Sequence, residues 1–172
     1  VNNGGALTNS TTGTSNATLS GLLTLGSDST IVNNASGNSA INLTNSGTIT
    51  GSGFALSLGG SRGGTINSII GTGSGSITKA GAGTWTLSGA NTYTGETNIN
   101  AGTLTITNAS GLGSTTGGTT VAYGSTLALN FSTSPTTVSE NVRLSGPGVY
   151  SSSYAGAMAA GIALSAAMLA WG

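Results

Sequence analysis

Gly83-Thr84-Trp85-Thr86-Leu87 has a near copy further along the chain in Gly102-Thr103-Leu104-Thr105-Ile106. In both stretches an apolar side chain alternates with threonine. That period of two places Trp85 with Leu87, and Leu104 with Ile106, on one face of an extended chain, and the threonines on the other. β-branched residues suit strands, and the intervening Ser-Gly and Asn-Ala pieces suit turns. Shorter runs of the same kind recur at Gly47-Thr48-Ile49-Thr50, Ser76-Ile77-Thr78 and Thr126-Leu127-Ala128-Leu129. Run centres fall near Leu23, Ile31, Ile41, Ile49, Leu56, Ile66, Ile77, Trp85, Ile99, Leu104 and Leu127. Most gaps are about eight to eleven residues, the rhythm of an all-β chain of short strands.

Composition narrows the function classes. The chain has 172 residues with 3 basic and 3 acidic side chains, no His and no Cys. Gly, Thr, Ser and Asn number 31, 29, 26 and 16. Without Cys or His there is no disulfide scaffold, no thiol redox chemistry and none of the usual zinc ligands. Three cations spread along the chain make no nucleic-acid patch. Leu, Ile, Val and Phe make up under a fifth of the residues, as in disordered chains, but the high net charge of such chains is missing and the apolar positions are patterned. Val1–Gly5 has no basic n-region or apolar run, so no signal peptide is expected there.

Offsets between the runs suggest a repeat. Gly83–Leu87 aligns with Gly102–Ile106, and Leu104 aligns with Leu127. Units of roughly twenty residues, each too small to bury its own apolar face, fit a solenoid of stacked coils. A sandwich or barrel has the same local alternation, and periodicity alone does not separate them. Scarce Pro and charge, with many small residues, favour the solenoid, because stacked Thr, Ser and Asn can hydrogen-bond whereas stacked charges repel.

From Lys79 to Ile106 the chain reads K-A-G-A-G-T-W-T-L-S-G-A-N-T-Y-T-G-E-T-N-I-N-A-G-T-L-T-I. This stretch resembles the passenger-associated transport repeat (autotransporter-associated β-strand repeat) of autotransporters. The positions that carry the resemblance are Lys79, Gly83, Trp85, Leu87, Gly89, Asn91, Tyr93, Gly95, Ile99, Gly102 and Leu104. The resemblance implies a right-handed parallel β-helix, secreted by or displayed on the surface of a Gram-negative bacterium, with a repeat that helps the passenger fold as it leaves the cell. Only Lys79 to Ile106 is covered directly, and the Gly-, Ser-, Thr- and Asn-rich flanks resemble ordinary passenger coils. The family's C-terminal transmembrane barrel is not recognised in this sequence, so the chain is not read as a complete autotransporter.

Composition shifts at Tyr150. Residues 1–149 are read as the β-solenoid, and residues 150–172 as an apolar, Ala-rich helical segment with Ser153 as its N-cap. Ala155 to Trp171 would make about 25 Å of helix, at the short limit for a bilayer. Three fates are open to it: packing on the solenoid, packing between subunits, or membrane contact through 155–171.

Little chemistry is on offer. The charged residues are Asp28, Arg62, Lys79, Glu96, Glu140 and Arg143. Glu96 and Glu140 could act as an acid pair in a carbohydrate-active β-helix only if folding joined them in a charged groove. Lys79 and Glu96 are read as an exposed pair at turns. Gly71-Thr72-Gly73-Ser74-Gly75 lacks the lysine of a phosphate loop and reads as turns. A single Asp excludes an Asp-rich calcium repeat. Trp85 is read as core in line with Leu104; an exposed stacking surface of Trp85, Tyr93 and Tyr123 is the alternative. The pairs Thr84/Thr86, Thr92/Thr94 and Thr103/Thr105 raise ice binding, but their spacing in sequence is irregular and they are read as ordinary outer-face residues.

The sequence therefore points to a structural, non-enzymatic, cofactor-free extracellular β-solenoid. Its first expected partner is a second copy of itself, stacked head to tail into a fibre. Assembly contacts are expected at Val1, Val149, Met158, Ile162, Leu169 and Trp171. The alternatives are an adhesin that recognises a host receptor or glycan, and the enzyme built on Glu96 and Glu140. No nucleic-acid partner is expected.

Overall fold

Each strand pairs in parallel with a strand about one coil away along the chain. The structure is a computed structural model that describes residues 5–133 and 136–145. These residues form fifteen short strands. In chain order they begin β1 (Ala6–Asn9), β2 (Ala17–Leu19), β3 (Ser29–Asn33), β4 (Ile41–Leu43), β5 (Thr48–Thr50), β6 (Leu56–Gly59), β7 (Gly64–Ile66) and β8 (Ile69–Gly71). They continue as β9 (Ile77–Lys79), β10 (Thr84–Leu87), β11 (Thr97–Ile99), β12 (Thr103–Ile106), β13 (Thr119–Val121), β14 (Thr126–Leu129) and β15 (Val142–Leu144).

Three faces result. The first is the seven-stranded sheet β1-β3-β6-β9-β11-β13-β15, the second the six-stranded sheet β14-β12-β10-β7-β4-β2, and the third the pair β5-β8. Along the first face the partners Ala6, Thr30, Ser57, Thr78, Asn98, Thr120 and Arg143 climb in unequal steps, one coil at a time. The fold is a parallel β-solenoid of about six turns, which excludes the antiparallel sandwich. Both alignments seen in the sequence are structural registers: Thr84 lies beside Thr103, and Leu104 beside Leu127.

The alternation of strand residues explains the core. Inward positions of the second face stack as Leu43, Ile66, Leu87 and Ile106, all buried. The neighbouring column runs Ile41, Gly64, Trp85, Leu104. A Cβ on Gly64 would collide with the Ile41 carbonyl oxygen, so glycine lets the coils close beneath the Trp85 indole. Ile49 and Ile70 close the third side. Burying such side chains contributes roughly 1.5–3 kcal/mol each, and parallel pairing leaves few backbone groups without a partner.

Five strands lie away from the run centres read in the sequence: β1, β2, β8, β13 and β15. Each of β1, β2, β13 and β15 has at most two large apolar residues, so its pairing partner, more than its own pattern, holds it extended. Near Leu23 there is no strand, only a bridge from Thr24 to Thr50. The proposed boundary at 149/150, the Ala-rich segment 150–172, and the assembly positions Val1, Val149, Met158, Ile162, Leu169 and Trp171 lie outside the described residues.

Candidate functional site

The segment 79–106 makes more than one turn of the solenoid, and several of its polar residues point inward. Lys79 ends β9, in phase with Ile77, so its side chain enters an interior column between Leu58 and Ile99. It is fully buried. Its ammonium donates to the carbonyls of Ala80 at 3.0 Å, Gly81 at 2.7 Å and Ala101 at 2.9 Å. Three donors meet three acceptors, the arrangement a buried ammonium requires. Ala101 belongs to the following coil, so this side chain ties two layers at one corner. Burial disfavours the charged form and lowers the Lys79 pKa from 10.5 to about 8.

The reading of Lys79 and Glu96 as an exposed pair is therefore corrected. Glu96 is exposed at the turn before β11, while Lys79 is inside and bonded to carbonyls. The signal is present in the sequence. In Ile77-Thr78-Lys79 the period of two sends Ile77 and Lys79 to the same side.

Asn91 makes a second tie at the third face. Its Oδ1 accepts from the Ile70 amide at 2.8 Å, and its Nδ2 donates to the Gly111 carbonyl at 2.6 Å. One buried amide thus spans the coils on either side of its own. Trp85 is also inside and donates from Nε1 to the Gly59 carbonyl at 3.1 Å. Tyr93 is buried, with its hydroxyl 2.6 Å from Thr97 Oγ1. Burial holds the Tyr93 phenol well above its usual range, the Thr97 bond opposes that shift, and the nearby Glu140 charge adds to it. Directly above Thr97 lies Thr119, also buried, whose hydroxyl donates to Glu140 Oε1 at 3.4 Å. Burial raises the Glu140 pKa, opposed by bonds from Thr119 and the Gly118 backbone.

The remaining motif positions are structural in the same sense. Leu87, Ile99 and Leu104 are buried. A Cβ on Gly83 would collide with the Arg62 carbonyl oxygen, one on Gly89 with that of Ser68, and one on Gly95 with that of Gly75. Gly102 has φ of +65°, in the left-handed region where a side chain is strained. The sequence does not single out the buried Asn9–Asn33 pair, in which Asn9 Nδ2 donates to Asn33 Oδ1 at 3.2 Å. Both asparagines end strands that pair in register, and that register is visible only in the fold.

The fold does not bring together Glu96 and Glu140, the pair that the enzymatic alternative needs. Glu96 and Glu140 sit near the ends of coils two layers apart, about 10 Å at the usual interstrand spacing. Glu140 turns toward Thr119, and no charged groove joins the two among the described residues. Among the described residues no group of His, Cys, Asp or Glu is arranged to hold a metal. No helix among them is long and apolar enough to cross a membrane. Trp85 is core in line with Leu104, as read from the sequence, and Tyr93 is core too, so of the three aromatics of the alternative stacking surface only Tyr123 is exposed, at 63%. A shallow groove of about 470 Å³ lies around Arg62, Gly63 and Gly83, with Ser39, Thr65 and Thr84 on its walls.

Continuous parallel ladders and an interior tied across coils by buried polar side chains define a β-solenoid. Residues 77–106 match the family described as the passenger-associated-transport-repeat, the repeat that the sequence resembles over 79–106. No curated protein and no solved structure matches the chain.

Proposed function

We propose that the chain is a rigid spacer segment of a passenger, secreted by or displayed on a Gram-negative cell, and that copies stack end to end. The observation that supports this most directly is the repeat match lying within an uninterrupted stack. Side chains tie neighbouring coils in such a stack, so it resists bending and proteolysis without metal or disulfide. The repeat's buried Lys79 and Asn91 are the ties at two corners.

We infer end-to-end stacking from the strand edges left open among the described residues. Among the described residues, β1 and β15 each have one neighbour on the first face, and β2 and β14 one on the second. Leu144 on β15 is 74% exposed, and Leu127 and Leu129 on β14 are only partly buried. Unpaired strand edges of this kind recruit further strands. A second copy adding its first coil to the last coil of the first makes a heterologous contact that does not close, and so a filament. Negative-stain microscopy and light scattering at rising concentration test this. Filaments with a mass that grows with concentration are expected; a monodisperse monomer at high concentration removes the assembly and leaves the passenger reading in place. Protease accessibility on intact cells tests display.

A further inference from the structure

The second face carries an outward pattern that the core does not explain. Thr84 and Thr86 alternate with the buried Trp85 and Leu87, and pairing sets Thr84 beside Thr103 and Thr86 beside Thr105. One coil further on, Thr103 lies beside Thr126; one coil earlier, Thr65 lies beside Thr86. Asn42 and Ala128 bound the second of these columns. The uneven spacing in sequence disappears in space, because the extra residues of the longer coil fall in its turns. Two straight columns of threonine result, separated by about 4.8 Å between coils and about 6.6 Å along each strand.

Three features set this array apart. None of the six hydroxyls has a side-chain hydrogen bond among the described residues, whereas Thr94 on another side bonds the Gly73 carbonyl. No charged residue occupies a strand position in either column, and the nearest charge is Arg62, in the groove beside Thr65, Thr84 and Thr86. The first face differs: its outward column runs Thr30, Ser57, Thr78, Asn98, Thr120 and Arg143, so its threonines are interrupted by other side chains. Threonine's β-branch limits χ1, so hydroxyl and methyl are held in place before any ligand arrives. A rectangular net of fixed hydroxyls with methyl groups beside them can hold water in rows.

We propose that the outer face of β7, β10, β12 and β14 binds ice, holding a layer of water in register with the crystal. The test uses the whole chain in ice-affinity partition during slow freezing, with inhibition of ice recrystallisation as a second readout. The chain and Thr78→Tyr, which alters the first face, should be enriched in ice over an inert protein. Thr103→Tyr with Thr105→Tyr, at the centre of the net, should fall to the level of the inert protein. Thr103→Val with Thr105→Val keeps the shape and the methyl groups, and should lose part of the enrichment even if the tyrosine pair misfolds by circular dichroism. Exclusion of the folded chain from ice, or full enrichment of both double variants, would overturn the proposal.

Discussion

Lys79 Nζ stands 2.9 Å from the carbonyl oxygen of Ala101, one coil further along, and so couples two layers through a charge in the interior. Lys79→Met keeps the length of the side chain and leaves the carbonyls of Ala80, Gly81 and Ala101 without this donor. An unsatisfied buried polar group costs about 1–3 kcal/mol, partly offset here because no ammonium is buried. A loss of about 1–3 kcal/mol in chemical denaturation at neutral pH is expected. The pH dependence carries a further signature. The folded pKa near 8 lies below the unfolded 10.5, so between these values the unfolded chain binds more protons and stability rises with pH. Denaturation midpoints of the parent should climb through this window, and those of Lys79→Met should lose that climb.

Tyr93 acts in the opposite sense at higher pH. Its phenol is held protonated by burial in the folded chain and ionises near 10 once unfolded. The folded state then binds more protons, so stability falls as pH rises above about 10. Tyr93→Phe removes this alkaline fall and the 2.6 Å bond to Thr97, at a cost of about 0.5–1.5 kcal/mol near neutrality. Ultraviolet titration of the native protein should show one phenol that ionises only on unfolding, and that signal should be missing in Tyr93→Phe.

How much of this is legible in the sequence depends on distance along the chain. Trp85 over Leu104 can be read from matching short runs, because the repeat keeps one local pattern in both. Lys79 is legible in phase yet reads as a surface group, because a lysine is seldom buried and its acceptors lie in a turn and in the next coil. The threonine net reads as irregular for a related reason: turns of different length hide a register that strand pairing restores. Asn9, Asn33, Thr97 and Thr119 are each in phase with an apolar neighbour (Leu7, Ile31, Ile99 and Val121), but which of them stack together is set by pairing between coils.

Trp85 supplies the largest buried side chain, and its neighbour in the column below is Gly64. Trp85→Ala should cost about 3–5 kcal/mol, since both the indole contacts and the bond to Gly59 are lost and the coils above and below cannot close on the gap. Trp85→Phe should cost less, because part of the ring packing is kept although the Nε1 bond is lost. Equilibrium unfolding followed by circular dichroism measures both; equal stability of parent and Trp85→Ala would contradict the packing described here.

Glycine at the corners separates close approach from simple turn preference. At Gly83 an added Cβ would collide with the Arg62 carbonyl oxygen, which is backbone and cannot rotate away. At Gly21 an added Cβ meets nothing within 4 Å, and the backbone is not left-handed. Gly21→Ala should therefore be neutral or stabilise by up to about 0.4–1 kcal/mol, through the reduced freedom of the unfolded chain. Gly83→Ala must push β10 away from the preceding coil and disturb the pairing of Trp85 with Gly64. A large drop in melting temperature and faster hydrogen exchange of the β7 and β10 amides are expected for Gly83→Ala alone. If both variants melted alike, the corner would owe its glycine to chain flexibility and not to the contact between coils.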